Sequence, residues 1–484
     1  MRPTPPTLDA QFDDLLERCR LMARVLEPLH AMGVIWLNFN PGGLFEASGR
    51  IQIQGLDLQL FHVGEYVAEP HGLPAYASPE WTRGQTEAIG PATDVYHVAL
   101  YVYYYLADLL PLGLTGAGPA ALFHELPPLR VFNPHLPVGI EPILLQALDI
   151  DPSRRPSSVV AFVDALAESI TRARLRFLPA GRCRFDVAGA SVTGRSHRHT
   201  CTPNQDVFAH IVLADGTLLA LVADGVTTAQ IGSGEQASAI ARDTLIEELC
   251  RSLPAAHTFE EIRARLNEAC WLASQNILHA ALAQCEEAAH MLHADLMCST
   301  VVIAVVRQQE LITACLGDSR VYLVQGGQVE QLTVDGDVRT TYLIAGCSSE
   351  EVMRLGAEGF ALYEALGIMD RDHPAGPVPD PERSQPTVRR WPLQPGDLVV
   401  LCTDGLVEAG AALSPTDLVT FSQAYPRNDE LAEQLVLAAD QCQRDPSPTE
   451  PAGFGDDATC IVIRIESDQS STGKWAAGPA MEAS

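Results

Sequence analysis

Between about residues 10 and 168 the apolar positions recur at helical spacing, whereas beyond about residue 183 they gather in short runs rich in β-branched residues. That change divides the chain into a helical N-terminal part and a C-terminal part of strands with inserted helices. In the first part, FDDLLERCRLMARVLEPLHAMG predicts an amphipathic helix that stops at Gly33. Two strand-like runs follow, VIWLNF and RIQIQGL, then the apolar helix VYHVALYVYYYLADLL and a helix in PSSVVAFVDALAESI opened by Pro156 and Ser157. In the second part, VFAHIVL, TLLALVA, STVVIAVV, LITACL, VYLV, DLVVLCT and TCIVIRI read as strands. Three helices separate them: GEQASAIARDTLIEELCRS, a stretch striped by Phe259, Ile262, Leu266, Ala269, Ala273 and Ile277, and DELAEQLVLAADQCQ. Strands joined by short turns, with helices between them, imply antiparallel sheets covered by helices. Asp215-Gly216, between two runs, is read as a hairpin turn.

The predicted divisions are a first domain over 1–168, a basic linker over 169–182, a second domain over 183–465 and a disordered tail over 466–484. At 484 residues the chain exceeds one ordinary core, and with 47% hydrophobic residues it has ample material for two. Sixty-one acidic against 32 basic residues leave a formal charge of −29, which argues against nucleic acid or an anionic membrane as partner. No apolar run approaches the roughly 20 residues of a membrane helix, and the N-terminus lacks the apolar centre of a signal peptide. The 12 cysteines form no close pair and are read as free thiols in a reducing cytoplasm.

The acids change the picture most. Asp224 ends TLLALVAD and precedes Gly225; Asp404 ends DLVVLCTD; Asp456 and Asp206 stand just before ATCIVIRI and VFAHIVL. Strands of one core can bring such ends to one rim. Carboxylates about 4 Å apart repel by about 4 kcal/mol per pair at a dielectric near 20. Divalent cations remove that cost, and oxygen ligands without organised His or Cys favour Mg²⁺ or Mn²⁺ over zinc. Two ions could share and activate a water, with the Gly225 carbonyl as a neutral ligand. A lone Asp-Gly is more often a turn than a site, so spacing alone leaves both readings open.

Over about 184–465 the chain resembles the metal-dependent serine/threonine protein phosphatases of type 2C. The motifs occur in order: NQD at 204–206, VADGV at 222–226, GEQAS at 234–238, CSTVVIAV, CLGDSRVYLV with Gly317 to Arg320, QLTVDGD, ALYEALG, CTDGLVE and GDDATCIVI. The resemblance implies a central sandwich of two antiparallel sheets flanked by helices, in an α+β chain. It implies two Mn²⁺ or Mg²⁺ ions and a bridging hydroxide that attacks phosphoserine or phosphothreonine on a protein. Asp224 would bridge both ions, Gly225 would ligate through its carbonyl, Asp404 and Asp456 would complete the set, Asp206 would act through water, and Asp318 would help a third ion. Three departures stand out. Cys201 occupies the place, five before Asp206, of the arginine that grips the phosphate, with Arg198 three residues off. Thr227-Thr228 replace a glycine pair, and Gly336 replaces a histidine. They keep open a weak enzyme or an inactive phosphopeptide-binding scaffold; a phosphatase for a small metabolite is a third reading. His197 and His199, near the first acidic motif, are read as surface positions, with a phosphate contact as the alternative.

Residues about 15–168 resemble the C-terminal lobe of a protein kinase without its N-terminal lobe. The resemblance rests on LHAMGVIWLNFNPGGLF, GRIQIQGLDLQL, GLPAYASPE with Ser78, ATDVYHVALYVYYYL and ALDIDPSRRPS with Arg155. Trp36, Leu37 and Asn38 stand where His-Arg-Asp would be, Gly43 replaces the metal-binding Asn, and Gly55, Leu56 and Asp57 replace Asp-Phe-Gly. This implies a pseudokinase that docks a partner, a kinase among the candidates, or regulates, without transferring phosphate.

Overall fold

Helix α1 (Leu8–Ala31) ends where the sequence places its stop: Gly33 takes φ +72° and its N–H donates back to the His30 carbonyl. In the computed structural model, the described residues are 8–37, 44–47, 50–53, 60–63, 77–107, 126–133, 136–176, 183–285, 294–347, 349–373, 377–407, 413–444 and 455–467. After α1, β1 (Val34–Trp36) pairs with β4 (Leu60–His62), and β2 (Leu44–Ala47) pairs with β3 (Arg50–Ile53). Helices α2 (Pro79–Thr82), α3 (Pro91–Leu106), α4 (Leu129–Phe132), α5 (Glu141–Ala147) and α6 (Val159–Arg176) follow. Leu15 and Leu26 of α1 meet Val98 and Leu100 of α3 and Phe162 and Leu166 of α6, all wholly buried. Two buried polar devices tie these helices together. Arg155 grips Glu80 in a two-pronged ion pair at 2.9 and 2.8 Å. Asp94 accepts from His30 Nε2 at 2.8 Å, His97 Nδ1 at 3.1 Å and the Trp36 N–H at 3.1 Å. Asn38, Gly43, Gly55, Leu56 and Asp57 lie outside the described residues.

The second part runs β5 (Cys183–Val192), α7 (Arg195–Thr200), β6 (Asp206–Val212), β7 (Leu218–Asp224), α8 (Gly234–Ser252), α9 (Phe259–Leu282), β8 (Val301–Arg307), β9 (Glu310–Leu316), β10 (Arg320–Gln325) and β11 (Gln328–Gln331). It continues through α10 (Val338–Ile344), α11 (Ser349–Arg354), β12 (Met369–Asp370), β13 (Val378–Pro379), β14 (Thr387–Pro392), β15 (Leu398–Cys402), α12 (Pro415–Ala424), α13 (Asn428–Arg444) and β16 (Ala458–Ser467). Two five-stranded antiparallel sheets form, in the orders β11-β10-β15-β16-β5 and β14-β9-β8-β7-β6. Their inner faces meet through Leu218, Val222 and Val302 from one sheet and Leu323, Val399 and Ile461 from the other. Helices α8 and α9 cover Leu219, Leu221 and Ile303 on one outer face. Helices α12 and α13 cover Tyr322, Val400 and Val462 on the other. The central strands are therefore buried on both faces, which is why they read as unbroken apolar runs.

The structure moves two boundaries. Helix α6 extends to Arg176, so residues 169–176 of the expected linker are helix; Ile170 and Ala173 continue its buried stripe. Strand β16 takes in Glu466 and Ser467 of the expected tail, which pair with Arg184 and Cys183 of β5. Residues 177–182 and 468–484 lie outside the described residues. Among the described residues, no helix is long and apolar enough to cross a membrane.

The helical part docks on the sandwich through a buried contact. Arg130 of α4, 1% exposed, pairs with Glu330 of β11, lies 3.8 Å from Glu141 of α5, and stacks 4.6 Å above the Trp391 ring of β14. The second oxygen of Glu330 accepts from the Gly139 N–H at 2.6 Å. Val138 joins the sandwich core, and Val131 packs with Leu343 of α10 and Val352 of α11.

Candidate metal centre

The register of the β6–β7 hairpin sets Asp206 directly opposite Asp224 at the end of one sheet. Asp215 and Gly216 form the turn at its other end: Gly216 takes φ +83°, and Asp215 Oδ1 accepts from the Thr217 N–H. Asp224 is fixed through its own backbone. Its N–H donates to Thr300 Oγ1 at 3.2 Å, and its carbonyl accepts from the Thr300 N–H at 2.8 Å and Ser299 Oγ at 2.9 Å. In the facing sheet, Asp404 follows β15, Asp456 precedes β16 and Asp318 precedes β10. All these ends lie at one rim of the sandwich. They open on a cavity of about 350 Å³ whose walls include Asp224, Gly225, Asp318, Asp404 and Asp456. Asp206 sits just behind, with Oδ2 accepting from Thr403 Oγ1 at 2.8 Å.

Loop geometry demands glycine at 225. A Cβ there would fall 1.9 Å from the Gly234 carbonyl oxygen, where the loop crosses the start of α8. The crossing is held by Gln205, whose carbonyl accepts from the Gly225 N–H at 3.1 Å and Ser238 Oγ at 2.6 Å.

The acids are electrostatically frustrated. Desolvation, then the charges of Asp206, Asp404, Asp456 and Asp318, holds the Asp224 carboxyl well above the usual carboxylate range. Asp206 is raised by burial against the bond from Thr403, with Asp457 and Asp456 adding to the rise. Asp318 is raised by burial and by Asp404 and Asp335. Asp404 is also raised by burial, which outweighs the Arg320 guanidinium, and Asp456 is pushed up to about 6 by burial and Asp404. Arg320 moderates two of these acids while anchored on Asp335 at 2.7 Å. Asp206 Oδ1 and Asp404 Oδ1 are buried without a hydrogen-bond partner among the described residues. Buried anionic oxygens without donors are what a hard divalent cation satisfies, so the donor set fits Mg²⁺ or Mn²⁺.

A second group needs separating from this one. His197, Asp456 and Asp457 have ligand atoms within 4.8 Å of one another. Asp457, however, is occupied: Oδ1 accepts from the Gly194 N–H at 2.7 Å, and Oδ2 from His197 Nδ1 at 2.8 Å and the Gln205 N–H at 2.6 Å. It is a brace that ties β5, α7 and the Asp206 strand together, not a vacant ligand.

Neither Cys201 nor Arg198 lines the cavity. Cys201 is exposed; it closes α7 in a left-handed conformation, φ 55°, and does not line the cavity. The helical turn α7 stands between β5 and Asp206, so counting back five residues lands on the surface. Arg198 is turned away, donating to the Thr193 carbonyl and to Asp440 of α13 at 2.6 Å. Ser196 and His197 of α7 face the cavity instead, beside Thr227 and Thr228. His197 is 4% exposed, against the surface position expected for it, whereas His199 is exposed. Sequence reasoning also passed over Asp457, Thr403 and Gln205, whose roles depend on long-range contacts; the Asp-Asp pair at 456–457 was their one visible sign.

The profile of the family described as Protein phosphatase 2C matches residues 193–438. The serine/threonine phosphatase stp of Listeria monocytogenes is 23% identical over 277 residues, 57% of this chain and 94% of that protein. The serine/threonine-protein kinase Pkn1 of Myxococcus xanthus is 26% identical over 153 residues, 29% of this chain, and the match spans only 22% of that kinase. A solved structure of the catalytic domain of the serine/threonine phosphatase PstP, in complex with two manganese ions, is 21% identical with a TM-score of 0.40. It covers 58% of this chain and 99% of that one.

Proposed function

The chain belongs to the protein phosphatase 2C family, and from that premise we propose that residues 183–465 hydrolyse phosphoserine and phosphothreonine on proteins with Mn²⁺ or Mg²⁺. The observation that carries this reading is the convergence of Asp224, Asp318, Asp404 and Asp456 on one cavity, with Asp206 behind them and buried carboxylate oxygens unsatisfied. Asp224, the Gly225 carbonyl, Asp404 and Asp456 would hold two ions, Asp206 would act through water, and Asp318 would serve a third. Bound there, the cations supply a polarised water as nucleophile and offset the phosphate charge. The chain's own part is to fix the acids. Ser299 and Thr300 lock the Asp224 backbone, Thr403 orients Asp206, and Arg320 limits the repulsion around Asp318 and Asp404. Leu362 gives the cavity an apolar stretch of wall. No residue is assigned a covalent intermediate.

With Mn²⁺, the full chain is expected to release phosphate from a phosphothreonine peptide and from p-nitrophenyl phosphate, and to lose both activities in EDTA. Release from the small ester but from no phosphopeptide would indicate a metabolite phosphatase. Retained peptide binding without turnover would indicate a scaffold.

For residues 1–168 the proposal is an inactive kinase-like regulator in a cytoplasmic protein. The Glu80–Arg155 pair joins the SPE and RRP stretches on which the kinase resemblance rests, and the Arg130 contact gives this part a fixed seat on the phosphatase. With the catalytic-loop acid replaced by Asn38, the chain is expected to take up no labelled phosphate from ATP. Autophosphorylation that persists in an Asp224→Ala variant would overturn that assignment.

A further inference from the structure

We infer that His197, braced by Asp457, is the residue that contacts the substrate phosphate; the inference rests on the phosphatase reading and adds the contact that Cys201 and Arg198 do not provide. The ring is held at one end only. Nδ1 meets Asp457 Oδ2 at 2.8 Å, and that carboxylate, 2% exposed, is itself pinned by the Gly194 and Gln205 N–H groups. Among the described residues Nε2 has one hydrogen-bond partner, Thr227 Oγ1 at 3.4 Å, too long for a good hydrogen bond. That hydroxyl already donates to Gln205 Oε1 at 3.0 Å. A buried imidazole therefore presents an unspent nitrogen at the wall of the cavity.

The cavity has two chemistries. Its lining combines the carboxylates of Asp224, Asp318, Asp404 and Asp456 with the hydroxyls of Ser196, Thr227 and Thr228 and the imidazole of His197, a nitrogen of which lies within 4.8 Å of an Asp456 oxygen. Cations held by the acids would neutralise part of a phosphomonoester, and its remaining oxygens would be left to the neutral groups of the cavity. Among the described residues that line the cavity, His197 alone has a side-chain nitrogen. The hydrogen bond between Nε2 and a phosphate oxygen forms whichever partner brings the proton, since a phosphate monoanion can donate and a dianion can accept. The rigid Asp457 brace makes the contact directional, as a second partner does for functional histidines generally.

The test is calorimetric titration of inorganic phosphate into the Mn²⁺-loaded full chain, for the wild type, His197→Ala and His197→Gln, with a Mn²⁺ titration of each. Expected are a loss of phosphate affinity of at least about tenfold in His197→Ala, partial recovery in His197→Gln, and Mn²⁺ affinities within about twofold of one another. In turnover, KM for a phosphothreonine peptide should rise more than kcat falls. Equal phosphate affinity in all three proteins overturns the inference. A drop in Mn²⁺ affinity that accounts for the phosphate loss overturns it too, and makes His197 a metal ligand. Phosphate binding that depends on His197 in a wild type without turnover sustains it while removing the phosphatase reading. Melting curves identify a variant that fails to fold, and the glutamine variant then decides.

Discussion

Asp224→Ala is expected to lower turnover of any phosphoester by at least about 10³-fold and to abolish stabilisation of the protein by Mn²⁺. Asp224 faces Asp206 across its own hairpin and feels Asp404, Asp456 and Asp318 from the other strand ends. A carboxylate in contact with both halves of the ligand set is the one whose loss dismantles both, and several kcal/mol of transition-state stabilisation by bound cations correspond to that factor. The same crowding makes a separate thermodynamic prediction. In EDTA the wild type keeps these acids at mutual cost, so Asp224→Asn, which removes a charge and keeps the shape, should raise metal-free stability by about 1–2 kcal/mol. Thermal melts of both proteins with EDTA and with Mn²⁺ should therefore cross: the variant melts higher without metal and the wild type higher with it. Parallel responses to Mn²⁺ in the two proteins would mean that Asp224 holds no cation.

The second large effect lies far from the acids. Arg130→Ala should cost about 3–5 kcal/mol, because it strands Glu330 and Glu141 in a buried interface. Burial pushes the Arg130 guanidinium down to about 10, which still leaves it charged at neutral pH. Calorimetry should show the helical part and the sandwich of the wild type melting together and those of the variant melting apart. Activity should change as well, because the contact reaches the site by a short route. Val131 packs on Leu343 and Val352, with Val334 against the same cluster; two residues on, the Gly336 N–H donates to the Gly317 carbonyl at 2.8 Å, next to Asp318. Leu362, at the cavity wall, bridges to Asp337 of the same segment. Loosening this segment should weaken Mn²⁺ activation several-fold. Unchanged melting in Arg130→Ala, by contrast, would show that the two parts do not share a cooperative interface.

The inner strands that carry Asp224, Asp404 and Asp456 were legible because they are buried on both sides. TLLALVA, DLVVLCT and TCIVIRI are unbroken apolar runs, and the acids at their ends stand out against them; VFAHIVL, at a sheet edge, was legible from its apolar and β-branched residues alone. Strands β5 and β14 were not legible. Each lies at the edge of its sheet, and CRFDVAGASV and TVRRWP show neither alternation nor a continuous apolar run. Helix α7 was hidden for a related reason: six residues of Arg, Ser, His and Thr carry no apolar stripe, so nothing in RSHRHT announced a helical turn. That blind spot hid the turn that brings Ser196 and His197 to the cavity. His197 looked like a surface histidine because its burial depends on Asp457, 260 residues away. Arg130 was equally invisible, since its partners Glu330 and Trp391 belong to the other domain.

The central claim, that the rim acids hold a pair of divalent cations, is tested most directly by anomalous diffraction from crystals of the full chain grown with Mn²⁺. Two strong peaks among the carboxylates of Asp224, Asp404 and Asp456 are the predicted result. A cavity free of anomalous signal, with manganese found only on surface acids, would contradict it.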